Sequence, residues 1–192
     1  MSTFNVKVRG AAELRIALRP LQISDAGDIF DIWSDPEVMR FYDIAPLVAI
    51  DQAQQLVAGM VQDLVEAKGV RWAILLTESN RLIGTCGFML NHNFHSATLG
   101  FELARRYWRQ GLMREALDAA IDHAYREWDI NRIQTTTNLD NQASSGLLRK
   151  LGFVEEGVMR QWGYWQSAFH DVRLFSLIRA DRVQSDRLAA DA

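Results

Sequence analysis

The stretch from Gly100 to Ala120 constrains this chain more than any other. On its N-terminal side, Ala97 to Leu103 alternates in the manner of a strand. On its C-terminal side, Gly111 to Trp128 has the spacing of an amphipathic helix. Arg132 to Thr137 then reads as the next strand, so the three pieces make a right-handed parallel crossover. The turn between strand and helix carries Arg105, Arg106, Arg109 and Gly111, and Arg114 follows in the first helical turn. A glycine before a helix start frees backbone N–H groups to face an anion, which the helix macrodipole also favours. Strand, arginine-rich turn and helix together suit a phosphate group.

The turn matches neither of two common nucleotide motifs. No Gly-Lys-Ser/Thr follows it, and there is no three-glycine dinucleotide fingerprint. From these residues alone, a phosphate cradle and a basic, solvated turn remain equally open.

A wider pattern bears on that choice. Gly100-Phe101-Glu102-Leu103 followed by Tyr107-Trp108-Arg109-Gln110-Gly111-Leu112-Met113-Arg114-Glu115-Ala116-Leu117 resembles the acyl-CoA loop of the GNAT superfamily of N-acetyltransferases. The likeness is to the branch that acetylates ribosomal-protein N-termini. Asp35-Pro36-Glu37-Val38, Asn131-Arg132-Ile133, the run from Asn141 to Phe153, and His170-Asp171-Val172 are similar to that branch too. In order, they extend the resemblance over roughly 14–182.

The rest of the chain agrees with such a fold. Leu14 to Leu18 reads as a first strand ended by Arg19-Pro20, and Ser24-Asp25 caps a helix. Asp35-Pro36 begins a short helical turn, and Asp51 to Glu66 has a long apolar stripe at helical spacing. Arg71 to Thr77 and Leu82 to Leu90 read as strands joined by a polar turn of hairpin length. Gly84 and Gly87 suggest a bulge or close backbone packing. Asn141 to Leu151 is a short helix closed by Gly152, and Val154 to Trp165 with Ala168 to Ile178 form a long antiparallel pair. The expectation is an α/β chain with a mixed, mostly antiparallel sheet of about seven strands flanked by helices, in one domain spanning 1–192.

Composition permits this. A chain of 192 residues buries roughly 70% of its unfolded surface without staples. The net charge of −3 gives no overall pull toward nucleic acid or an anionic membrane. Cys86 is the single cysteine, so an internal disulfide and a multi-cysteine zinc site are excluded, which suits a reducing cytosol. The sequence has neither an apolar run of membrane-spanning length nor a signal-peptide core near Met1. The expectation is a cytoplasmic protein, monomeric or a homodimer paired through its last exposed strand.

The resemblance implies a chemistry: transfer of the acetyl group of acetyl-CoA to a primary amine by direct attack in a ternary complex, with no metal. The amine is a peptide N-terminus by branch, or else a small amine or aminoglycoside-like molecule. A CoA-binding domain without turnover is the reading from another class. Arg109, Gln110, Gly111, Leu112, Met113 and Arg114 would hold the pyrophosphate. The pantetheine arm would pair with backbone near Leu103, and Asn141 would contact the cofactor. Glu102 is the base candidate, with a solvated strand carboxylate paired to Arg105 or Arg106 as the plain alternative. Ser144 is the proton-donor candidate for the thiolate, with Ser145 its rival and a helix-start bond to Asn141 as the plain alternative. Trp33, Tyr42, Trp162 and Tyr164 would line the acceptor side. Where the family has small residues, this chain has Arg109 and Met113. The backbone cradle tolerates them provided it avoids positive φ, though Met113 is expected to crowd the helix start. His92 and His95 make no metal site, His123 reads as a surface residue, and His170 can pair with Asp171.

Overall fold

The computed structural model describes 15–182 and the backbone of 4–5. Among these residues every strand joins one eight-stranded sheet, in the order β1-β2-β3-β4-β5-β6-β8-β7. The strands are β1 (Phe4–Asn5), β2 (Ile16–Pro20), β3 (Gly69–Leu76), β4 (Leu82–Asn91), β5 (Ser96–Leu103), β6 (Arg132–Asn138), β7 (Val154–Trp165) and β8 (Ala168–Ile178). The helices are α1 (Ala26–Trp33), α2 (Pro36–Met39), α3 (Ile50–Val65), α4 (Leu112–Glu127) and α5 (Gln142–Lys150). The strand beyond the expected seven is β1, in a segment whose pattern announced none. β2 runs on through Arg19-Pro20 instead of stopping there. Pro20 is its last paired residue, where a missing N–H is tolerated.

Pairing is antiparallel throughout except between β5 and β6, whose crossover is α4. Successive strand residues go to opposite faces of the pleat, and in β3 and most of β4 both faces are buried. Trp72 and Ile74 of β3, Leu99 and Leu103 of β5, and Ile133 of β6 share a core with Leu112, Leu117 and Ile121 of α4 and Leu148 of α5. Ala73 and Leu75 of β3 belong to the other core, with Ile29 and Trp33 of α1, Met39 of α2 and Val57 of α3. The sheet is thus covered on both faces.

Local chemistry sets the element ends. The Asp35 carboxylate accepts the Glu37 N–H at 2.9 Å and starts α2, with Pro36 in the first turn. After α5, Gly152 takes φ +88 and Phe153 N–H returns to the Leu148 carbonyl at 3.0 Å, the Schellman closure its sequence predicts. The expected irregularity in β4 is a register shift opposite Ile74/Leu75, beside Gly84. Among the described residues no helix is long and apolar enough to cross a membrane.

Candidate active site

β5 and β6 are paired only from Ser96 to Thr98 against Arg132 to Gln134. Beyond Thr98 the two strands part, leaving Leu99 to Leu103 with β4 on one side and no strand on the other. Successive peptide groups of a strand point to opposite edges. Ala104 N–H donates across to Ile83, while the His95 carbonyl accepts from Asn131 on the β6 side. The odd-numbered residues therefore turn their backbone groups to the open edge. Two side chains meet them there. Trp108 Nε1–H donates to the Leu103 carbonyl at 2.6 Å, and the Tyr42 hydroxyl lies 3.0 Å from the Phe101 carbonyl.

Glu102 points to the α1–α3 face, away from Leu99 and Leu103, as alternation predicts. It is not solvated. Its side chain is 2% exposed, and its partner is Arg71 of β3, neither Arg105 nor Arg106. A row of residues with little or no side chain makes room for this. Arg71, Gly87 and Gly100 are register neighbours across three strands. A Cβ at Gly100 would sit 2.9 Å from Arg71 Nη1, so the guanidinium passes over that glycine on its way to Glu102. Arg71 Nε–H donates to Thr85 Oγ1 at 2.5 Å, and Thr85 donates on to Glu102. The Tyr42 hydroxyl donates to Glu102 Oε2 at 2.7 Å. The carboxylate is held on three sides.

Burial, then the adjacent Glu102 carboxylate, push the Tyr42 phenol well above its usual range, so it is a hydrogen-bond donor. For Arg71, burial alone would lower the pKa, but Glu102 and Tyr42 outweigh it and the net shift is upward. Burial also raises the nearby Cys86 thiol to about 12.

The loop after β5 turns sharply. Arg109 has φ +60 and Gly111 φ +80, so Arg109 occupies the left-handed region that the sequence reading required it to avoid. Such alternation turns successive N–H groups inward as an anion-binding nest. The first intrahelical bond of α4 is Glu115 N–H to the Gly111 carbonyl, leaving the N–H groups of Leu112, Met113 and Arg114 without helical acceptors. Met113 does not crowd them. Its side chain turns inward, and the residue is 8% exposed. Arg114 is exposed and lies 3.8 Å from Asp118. Gln110 Nε2–H donates to the Arg106 carbonyl at 2.9 Å. The loop turns free backbone N–H groups inward, as a glycine before a helix start predicts, and such a cradle suits an anion.

Asn141 caps α5, its side chain accepting the Ser144 N–H at 3.1 Å. Ser145 is fully buried with its hydroxyl 3.1 Å from Thr137 Oγ1. Ser144 is half-buried, so of the two it has the hydroxyl open to a ligand.

Other expectations need correction. Trp33 is 3% exposed and belongs to the core under Tyr42, their ring centroids 6.2 Å apart, so it supports Tyr42 instead of lining a wall. Trp162 and Tyr164 are exposed on the edge strand β7, Tyr164 packing edge-on against Phe169. Among the described residues neither has a hydrogen bond or ring contact to Tyr42 or Glu102. His170 does not pair with Asp171, because neighbouring strand residues face opposite ways. It stacks on Trp165 at 4.1 Å, while Asp171 accepts the Gln161 N–H at 2.8 Å. His123 is half-buried against the stacked rings of Trp72 and Trp128. The sequence reading passed over Arg71 and Thr85. The available signal was a lone cation in the apolar run from Val70 to Leu76.

Comparison with known proteins agrees with this geometry. Residues 15–154 match the family model described as acetyltransferase (GNAT) domain. The chain belongs to the GNAT family. This GNAT chain is 33% identical over 169 residues to the uncharacterized N-acetyltransferase p20 of Bacillus licheniformis, covering 87% of the one and 94% of the other. It is 33% identical over 95 residues to the [ribosomal protein uS5]-alanine N-acetyltransferase of Escherichia coli, about half of each chain (46% and 49%). The ribosomal L7/L12 α-N-protein acetyltransferase RimL, solved in complex with coenzyme A, shares its fold with a TM-score of 0.79 at 23% identity, covering 88% and 96%. This GNAT protein is an acetyl-CoA-dependent N-acetyltransferase.

Proposed function

We propose that this enzyme acetylates the α-amino group of a protein or peptide N-terminus, by direct attack of the amine on the thioester. The observation that carries the reading is the Tyr42–Glu102 pair at the open edge of β5. A proton acceptor and a free row of backbone N–H groups stand side by side there, which amide formation from a thioester requires. The acceptor class rests on the likeness to the uS5-alanine enzyme.

The first turn of α4 and the loop from Arg109 to Gly111 hold the diphosphate of acetyl-CoA, and its pantetheine arm lies along the unpaired edge near Leu103. A backbone N–H on that edge polarises the thioester carbonyl. The amine nitrogen bonds to the carbonyl carbon and the carbon–sulfur bond breaks. Glu102 is buried, so the ammonium proton reaches it through Tyr42: the phenol oxygen receives it as the phenol's own proton passes to Glu102 Oε2. Arg71 keeps that oxygen in place, and Thr85 holds the other carboxylate oxygen, Oε1. The departing sulfur takes the Ser144 proton, which solvent restores, and Glu102 releases its own.

Thiol release from acetyl-CoA tests this, run over peptides beginning with Ser or Ala, polyamines and aminoglycosides. Release that depends on a peptide α-amine is the expected result. Release with only polyamine or aminoglycoside would overturn the acceptor assignment. With the peptide acceptor, Glu102→Gln and Tyr42→Phe should each slow turnover by about 10²-fold or more, while CoA affinity stays within about twofold. Unchanged rates would remove the relay.

A further inference from the structure

Arg15 lies just before β2, 95 residues from the loop that precedes α4, yet its guanidinium rests on that loop. Arg15 Nη2–H donates to the Gln110 carbonyl at 3.1 Å, and the same nitrogen is ion-paired with Glu115. Gly111 sits beneath it, where an added Cβ would lie 3.4 Å from that nitrogen. The Arg15 backbone is itself fixed, its carbonyl accepting the Thr77 N–H at 3.0 Å. The sheet thus presents a guanidinium to the loop from outside the loop motif.

Glu115 gives that contact its meaning. It is an acidic residue in the first turn of α4. A carboxylate there favours a bare helix, because it complements the positive end of the macrodipole. At a helix whose free N–H groups must receive a diphosphate, the same carboxylate is a competing anion. Its side chain is only 14% exposed, so water screens it poorly. We propose that Arg15 is a positioning residue for the cosubstrate: it neutralises Glu115 and ties down Gln110, so that the first turn of α4 offers its N–H groups to the diphosphate. This rests on the reading that the loop holds acetyl-CoA.

The test is the affinity of the purified full chain for CoA, by titration calorimetry at low and high ionic strength. Arg15→Gln should weaken binding about fivefold to tenfold, as expected for one unpaired charge at a helix start. The deficit should shrink in high salt, where the screening length falls from about 10 Å at 0.1 M to about 3 Å at 1 M. Adding Glu115→Gln to Arg15→Gln should return affinity to within about twofold of the parent, because the repelling anion is gone. Arg15→Lys, which keeps the charge, should retain most of the affinity and serves where Arg15→Gln folds poorly. Parent-like binding by Arg15→Gln overturns the proposal. So does a double variant as weak as the single, or an Arg15→Lys as weak as Arg15→Gln. Gly111→Asp separates the two readings. If it binds CoA like the parent, the loop assignment falls and this inference with it. If it is crippled while Arg15→Gln is unaffected, only the inference falls.

Discussion

Arg71→Leu is the most informative single change outside the loop. Arg71 and Glu102 form a buried ion pair, with side-chain exposures of 15% and 2%. Leucine keeps apolar volume over Gly87 and Gly100 but strands the Glu102 carboxylate. Breaking a buried pair from one side costs about 3–5 kcal/mol, chiefly through the charge left behind. The Thr85 and Tyr42 hydroxyls still donate to Glu102, which places the expected loss near the lower end, about 3 kcal/mol. For a chain of this size that corresponds to a fall in Tm of roughly 6–12 °C. Glu102→Gln in the Arg71→Leu background removes the stranded charge: its one oxygen accepts from Thr85, and its NH2 donates to Tyr42, whose own proton turns to the Phe101 carbonyl. The double variant should therefore lie within about 1–2 kcal/mol of the parent. Urea unfolding followed by circular dichroism, on all four corners of the cycle, gives these values directly. If Arg71→Leu costs under about 1 kcal/mol, or if the single losses add in the double variant, the two side chains are not coupled and the reasoning fails.

Three further predictions concern single residues. Arg109→Gly should leave Tm unchanged or raise it by up to about 2 °C, because glycine takes φ +60 freely and relieves about 1 kcal/mol of left-handed strain, less the roughly 0.4–1 kcal/mol of entropy glycine adds to the unfolded chain; a clearly lower Tm would show that the Arg109 side chain holds the loop. Burial against Trp72 and Trp128 lowers the His123 pKa. The unfolded chain then binds the proton more readily, so this contribution leaves stability unchanged above about pH 6.5 and erodes it as pH falls below that value. His123→Phe should flatten that acid limb in a urea series across pH, and an unchanged slope would reject the assignment. Cys86, with its thiol raised to about 12 and no exposure, should resist a thiol reagent in the native protein and react at once in denaturant; fast native labelling would contradict its burial.

Periodicity made most of the fold legible before any coordinates. The long helices, the β7–β8 hairpin and the cap at Gly152 follow from local residues, and local chemistry fixed them in the structure as well. The site was legible in part. Gly111 turns the loop and Asn141 caps α5 through the backbone next to them, so sequence order suffices to place them. Glu102 depends on Arg71 and Thr85, which are 31 and 17 residues away and meet it only through the register of three strands. Nothing local in the sequence sets that register. Trp33 misled for a related reason: an aromatic near a site can line it or support what lines it, and only the packing of α1 against Tyr42 decides. Arg109 shows the limit of analogy by residue type, since the loop keeps its left-handed turn and makes an arginine adopt it.

The short pairing between β5 and β6 has a mechanical consequence. Between β1 and β5 on one side and β6 to β8 on the other, the hydrogen-bonded ladder is continuous over only three residues on each strand. The protein is therefore two half-sheets joined at a seam, with α4 spanning it as the crossover. A seam of this kind opens more cheaply than either half unfolds. A molecule that fills the gap and bonds to the bare edge of β5 acts as the missing rung. Amide hydrogens of Phe101 and Leu103 would then pass from fast to slow exchange when the gap is filled, and the two halves would begin to melt as one unit.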